Sequence, residues 1–219
     1  MQEIFEFNNI LSVIIAYLIG SVPSAIWVSK WFFGVDVRDY GSKNAGATNT
    51  FRVIGKVAGF TVLFFDILKG WGSVKLLIWY LCVYPEGSDA FINMELVIGI
   101  TAVFGHVFPI YEQFKGGKGV ATLMGIILAI NLPAALICAC LFIVLFLIFN
   151  YVSLGAIAAA FFFPIITIYV FKADSPTLIY FSILISMLVI STHKKNIERL
   201  LNGNENKMVF KPLKKKELD

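Results

Sequence analysis

The chain has 219 residues, of which 58% are hydrophobic and only 15% charged, with a net charge of +4. Its mean hydropathy is +0.82, whereas a soluble domain is about 45–50% apolar and about 25% charged. These values exclude a disordered chain, a fibrous repeat, an ordinary soluble enzyme and, with so small and dispersed a basic excess, a nucleic-acid partner; they indicate a polytopic membrane protein whose surface faces lipid.

Apolar runs cover about residues 10–29, 57–82, 94–111, 119–131, 133–150, 152–171 and 176–192. A spanning helix needs about 17–25 residues, so the run at 119–131 is short and reads as a tilted span or a half-span. Val22-Pro23 breaks the first run, and Pro133, Asn150-Tyr151 and Asp174-Ser175-Pro176 mark turns between later ones. The leading segment lacks the basic residues of a cleavable signal. The three cysteines, Cys82, Cys138 and Cys140, have neither metal nor disulfide spacing and read as small packing residues.

Basic residues orient the spans. Residues 1–9 carry Glu3 and Glu6, and the loop at 83–93 carries Glu86 and Asp89, with no basic residue in either. Lys30, Arg38, Lys43, Arg52 and Lys56 fall in the loop at 30–56, Lys115 and Lys118 at 112–118, and eight lysines and arginines in the tail from His193. Seven spans with the N-terminus outside place every basic segment in the cytoplasm. The expected fold is therefore all-α: a polytopic integral membrane protein of seven transmembrane helices over 1–192, with a cytoplasmic tail over 193–219.

Three of the cytoplasmic segments carry more than topogenic charge. The first is Asp39-Tyr-Gly-Ser-Lys-Asn-Ala-Gly-Ala-Thr-Asn-Thr-Phe-Arg52. Its glycines let the backbone approach a ligand, Ser42, Asn44, Thr48 and Asn49 offer hydrogen-bonding groups, and Lys43 and Arg52 offer cations to phosphate or carboxylate. The second joins Gly105-His-Val-Phe-Pro109 to Lys115-Gly-Gly-Lys-Gly119 and opens a helix. Gly116, Gly117 and Gly119 before a helix N-terminus can form a nest for an anion, bracketed by Lys115 and Lys118. It is not a Walker loop, because Gly119 follows Gly117-Lys118 where Ser or Thr is required, so a small phosphate fits better than a nucleotide. His106 reads as a hydrogen-bonded histidine inside the bundle.

The third segment is His193-Lys-Lys-Asn-Ile-Glu-Arg199. Helical spacing puts His193, Asn196, Glu198 and Arg199 largely on one face, where an anionic-lipid helix would need only lysines. Within the second run, Asp66 and Lys69 stand three residues apart, and buried ionisable groups in a span must pair or face a polar cavity; they read as a structural pair beneath the site.

In this order these segments resemble the bacterial acyl-phosphate-dependent glycerol-3-phosphate 1-acyltransferase family. The resemblance rests on Gly20-Ser-Val-Pro-Ser24, Gly41-Ser-Lys-Asn-Ala-Gly-Ala-Thr-Asn49, Phe65-Asp-Ile-Leu-Lys-Gly70, Gly105-His-Val-Phe-Pro109, Lys115-Gly-Gly-Lys-Gly119 and His193-Lys-Lys-Asn-Ile-Glu-Arg199, and it covers nearly the whole chain. It implies transfer of a fatty acyl group from acyl-phosphate to the 1-hydroxyl of sn-glycerol 3-phosphate, giving 1-acyl-glycerol 3-phosphate in the first acylation of phospholipid synthesis. It also implies a multi-pass protein of the bacterial inner membrane and a functional link to the enzyme that makes acyl-phosphate.

The resemblance gives functional weight to Ser42, Arg52, the glycines with Lys115 and Lys118, His193 and Asn196, and a more structural role to Glu198. The donor is already activated, so the implied chemistry needs no metal, cofactor or ATP. His193 and a donor phosphate oxygen are alternative bases, and Ser42 reads as a ligand-orienting hydroxyl, with no nearby partner to activate it as a nucleophile. The His-x4-Asp dyad of many acyl-CoA enzymes is absent, since Tyr111 follows His106 and Glu198 follows His193 at that spacing. A transporter of an organic phosphate is the rival reading, although transporter sites tend to lie near the bilayer midplane and not at its edge.

Overall fold

A computed structural model describes residues 7–208. Glu3 and Glu6 of the acidic N-terminus, and Lys211, Lys214, Lys215 and Lys216 of the tail, lie outside the described residues. Among the described residues ten α-helices follow one another: α1 Phe7–Gly20, α2 Ser24–Phe33, α3 Ala47–Val53, α4 Lys56–Leu81, α5 Asp89–Val107, α6 Val120–Ile130, α7 Leu132–Phe149, α8 Val152–Ile165, α9 Pro176–Thr192 and α10 Lys194–Leu201. The protein is an all-helical integral membrane protein. Four stretches are each long and apolar enough to cross a bilayer, namely 56–81, 89–112, 132–149 and 152–170. The pairs α1–α2 and α9–α10 also qualify, each taken as one span bent by 40° and 62° respectively.

The sequence accounts for these boundaries. Pro23 lacks the N–H that would continue α1, so α2 starts afresh at Ser24. Ser88 caps α5 by accepting the Phe91 N–H at 3.2 Å, which starts that helix five residues before the apolar run does. Asn131 caps α7 through the Ala134 N–H at 3.0 Å, and Asn150 closes it in a left-handed conformation. Pro164 breaks the α8 hydrogen-bond ladder, and the chain continues as a π-turn over Ile166–Val170.

α6 has 11 residues, about 16 Å at 1.5 Å per residue. That is roughly half the ~30 Å hydrocarbon thickness, so the helix is a partial span packed among its neighbours. Its closest crossing is with α4, where a Cβ on Gly70 would strike the Thr122 carbonyl and one on Gly125 the Ile67 carbonyl. α1 and α5 meet in the same way through Gly20 and Gly105. Without a hydrophobic drive between helices in lipid, such close backbone contact is the main source of packing energy. Around this core α7 turns Leu136, Ile143, Val144, Leu147 and Ile148 outward, each at least half exposed, as a lipid-facing surface requires.

Candidate active site

Three chain segments form one polar floor at the common end of α3, α6 and α9. The first loop folds around Asn49, which is fully buried at the start of α3. Its Nδ2 donates to the Val37 and Tyr40 carbonyls at 2.6 and 3.1 Å, and its Oδ1 accepts the Ser42 N–H at 2.8 Å. Asn49 is thus the residue that shapes this loop. Gly41 has φ +58°, and a Cβ there would meet the Asn49 side chain. Ser42 and Asn44 are half-buried on the loop, while Lys43 is exposed.

Arg52, on the last turn of α3, reaches across to the stretch that follows α10. Its guanidinium donates to the Asn206 carbonyl at 3.0 Å, while its Nε is buried with no hydrogen-bond partner among the described residues. A buried donor left so costs about 1–3 kcal/mol, and an anion beside it removes that cost.

The glycine loop between α5 and α6 is strained: Gln113 and Phe114 have φ of 53° and 61°, a left-handed conformation costing of order 1–3 kcal/mol for such residues. Gly116 N–H donates to the Val107 carbonyl at 3.1 Å and Gly117 N–H to the His106 carbonyl at 3.2 Å. These two donors are spent on the end of α5 and do not face a ligand. The first main-chain bond of α6 runs from Leu123 N–H to the Gly119 carbonyl, so the terminal donors belong to Val120, Ala121 and Thr122. Lys118 points inward, whereas Lys115 is exposed on the outer side.

The Lys118 ammonium donates to Asn196 Oδ1. The Asn196 amide in turn donates to Glu205 Oε1 at 2.8 Å, and Ser153 donates to that same oxygen at 2.9 Å. Arg199 holds the other Glu205 oxygen at 2.8 Å. Glu205 therefore takes the bracing role that the sequence suggested for Glu198, which is exposed. At 100° per residue Glu198 lies about 140° round α10 from His193, while Arg199 turns back toward the face that carries Asn196. Ion pairing with Arg199 and the hydrogen bonds from Asn196 and Ser153 outweigh burial and hold the Glu205 carboxyl below its ordinary value.

Burial pushes Lys118 down to about 8, an effect that Glu205 opposes and Arg199 and Arg52 reinforce. His193, just past the end of α9, is 3% exposed, and burial with the Lys118 ammonium brings it down to about 4. It is therefore neutral at pH 7. Its Nδ1 lies 2.8 Å from the Val189 carbonyl; a carbonyl only accepts, so Nδ1 carries the proton and Nε2 keeps its lone pair. A neutral imidazole, an oriented amide and the cations of Lys118, Arg52 and Arg199 thus surround one carboxylate.

Comparison with known proteins gives the family of the chain. A family model described as glycerol-3-phosphate acyltransferase matches residues 10–203. The chain belongs to that family. The glycerol-3-phosphate acyltransferase of Fusobacterium nucleatum subsp. nucleatum is 43% identical over 198 residues, covering 90% of this chain and 97% of the relative. That of Staphylococcus haemolyticus is 42% identical over 200 residues, covering 91% and 97%. Among solved structures, the glycerol 3-phosphate form of PlsY (YgiH), an integral membrane glycerol 3-phosphate acyltransferase, superposes with a TM-score of 0.80 at 35% identity, over 91% of this chain and 95% of that one. Its lysophosphatidic acid form gives 0.77 at 35% identity, over 90% and 94%.

Family membership leaves a second polar cluster to account for, buried beneath the glycine loop. Asp66 Oδ1 accepts from Ser24 Oγ at 2.6 Å and pairs with Lys69 Nζ at 2.8 Å. Lys69 also donates to the Val22 carbonyl at 2.8 Å, at the α1–α2 break, where that carbonyl accepts the Ser24 N–H as well. Asp66 and Lys69 form the expected pair, and His106 joins it: its Nδ1 lies 3.0 Å from Thr122 Oγ1 and 3.6 Å from Asp66.

Proposed function

We propose that this glycerol-3-phosphate acyltransferase moves a fatty acyl group from acyl-phosphate to the 1-hydroxyl of sn-glycerol 3-phosphate, releasing phosphate and 1-acyl-sn-glycerol 3-phosphate. The observation that carries the proposal is the gathering of Lys118, Arg52 and Arg199, one of them with an orphaned inward donor, around a neutral His193 and an oriented Asn196. Both substrates bring phosphate to that place. Lys118, Arg52 and the first turn of α6 supply charge and N–H donors for it. Lys43 and Lys115, on the exposed rims of the two loops, guide substrate inward by charge, and the half-buried Asn44 offers it a hydrogen bond. The Ser42 hydroxyl orients a ligand.

In the reaction the glycerol oxygen attacks the carbonyl carbon of the mixed anhydride, and the bond from that carbon to the phosphate oxygen breaks. His193 Nε2 accepts the hydroxyl proton, and the departing phosphate takes it in turn. The buried imidazole is a weak base by itself, and two entering phosphates strengthen it by stabilising its cation. Asn196 and Lys118 stabilise the negative charge that develops on the acyl oxygen. The acyl chain stays among the helices, which accounts for a phosphate site built on a membrane bundle.

We read all seven apolar runs as membrane segments, with the N-terminus outside and the site at the cytoplasmic face of the inner membrane. A functional link to the enzyme that makes acyl-phosphate follows from a donor that hydrolyses if it diffuses free. The test incubates purified protein with acyl-phosphate and labelled glycerol 3-phosphate and identifies the product by mass. Acylation from acyl-CoA or acyl-carrier protein, with none from acyl-phosphate, would overturn the donor.

A further inference from the structure

Ser24, Asp66, Lys69, His106 and Thr122 come from four helices and are each 9% exposed or less, inside a bundle that faces lipid. Ionisable groups so placed are costly and mark function more often than filler. None of these side chains has a part in the transfer chemistry above. Their position suggests one: Ser24, Asp66, Lys69 and His106 border a cavity whose other wall is Gly116, Gly117 and Ala45, and Thr122 meets His106 beside it.

His106 makes the connection. One edge of its ring is fixed, with Nδ1 between Thr122 and Asp66. The other edge lies directly under the glycine loop, where a Cβ added to Gly117 would run into Nε2. The same residue's carbonyl, with that of Val107, accepts the two glycine N–H groups. Thr122 belongs to the first turn of α6, so His106 braces the loop at Gly117 and the helix that follows it. The loop needs such a brace, because Gln113 and Phe114 adopt left-handed conformations that side-chain-bearing residues disfavour.

We propose that His106, oriented by Asp66 and Thr122, is the positioning residue of the glycine loop and sets where Lys118 and the α6 N-terminus meet the substrate phosphate. This rests on the reading of that loop as a phosphate-binding element. The brace acts on binding geometry and not on the proton transfer, so its loss raises KM more than it lowers kcat.

The test compares His106→Asn with His106→Gln in purified full-length protein. Asparagine keeps a polar atom where Nδ1 meets Thr122 and leaves the space under Gly117 open, whereas glutamine refills it. His106→Asn is expected to raise the KM for glycerol 3-phosphate about tenfold or more with kcat within about threefold, since a misplaced binding group acts at a distance. Amide exchange of residues 115–119 is expected to quicken about tenfold while α4 keeps its protection. His106→Gln is expected to return both readings toward wild type.

A wild-type KM and loop exchange in His106→Asn would overturn the proposal. So would an equal loss in both variants accompanied by faster exchange through every helix, which marks a general folding defect. Should neither variant insert, Thr122→Val is read in the same way: faster loop exchange supports the brace, and unchanged exchange overturns it. If wild-type protein transfers no acyl group at all, the functional reading fails, while the exchange comparison still decides whether His106 holds the loop.

Discussion

On the mechanism proposed above, His193 takes the hydroxyl proton. Glutamine at 193 keeps a hydrogen-bonding group where Nε2 stands but cannot accept a proton. His193→Gln is expected to lose roughly 10²–10⁴-fold in kcat, the usual range for a general base, without recovery at saturating glycerol 3-phosphate. Near-full activity in that variant, together with an inactive His193→Ala, would pass the role to the donor phosphate. Lys118 acts through charge. Lys118→Ala should cost about 1.5–3 kcal/mol of transition-state interaction, read as a fall in kcat/KM. The ammonium loses its proton as pH rises through about 8, which weakens the attraction for a phosphate dianion. The KM for glycerol 3-phosphate should therefore climb above that pH in wild type and lose that rise in Lys118→Ala. Glu205→Gln keeps the shape but gives up the charge that Arg199 holds, so kcat/KM should fall by about 1.5–3 kcal/mol as Asn196 loosens. The sequence pointed to His193, Asn196 and Lys118, because amide, imidazole and lysine beside glycines are unusual at a membrane edge. It did not point to Glu205. That residue lies beyond the last motif, and its partner Ser153 is 52 residues away in an apolar run.

At the scale of elements, the short apolar run that opens after Gly119 became α6, and its length follows from its two ends. Gly119, at φ +81°, starts the helix, and Asn131 stops it by capping the next one. Both signals are visible in the sequence. The crossing of α4 on α6 is not, because a glycine in a span shows only that something comes close and not what. Gly125→Leu forces a side chain into the Ile67 carbonyl, and overpacking of this kind costs typically 1–3 kcal/mol. The variant should show a lower Tm in detergent and, since Thr122 shifts with α6, a higher KM for glycerol 3-phosphate. An unchanged Tm would mean that the two helices separate easily and that their contact contributes little. The bend between α9 and α10 was legible only as the end of an apolar run. His193 stands at the bend, and its side chain turns back to the Val189 carbonyl.

For the whole molecule, orientation is the open quantity that the basic loops address. On a background lacking Cys82, Cys138 and Cys140, single cysteines at positions 43 and 194 should react with an impermeant reagent only after the cytoplasmic face is opened. Labelling of either position from outside intact cells would reverse the topology. The half-length of α6 bears on the same axis. A helix of about 16 Å that starts at the glycine loop, with no exposed residue along it, covers roughly half of the ~30 Å apolar layer. On the topology proposed above, the bilayer around the bundle thins there, or the polar floor sinks below the level of the headgroups with water following it down. On that reading the enzyme has a built-in hydrophobic mismatch, and its fit depends on how thick its host bilayer is. Reconstituted into short-chain phosphatidylcholine it should turn over faster than in long-chain phosphatidylcholine of equal fluidity, so that the length of the lipids around it feeds back on the rate at which their precursor is made.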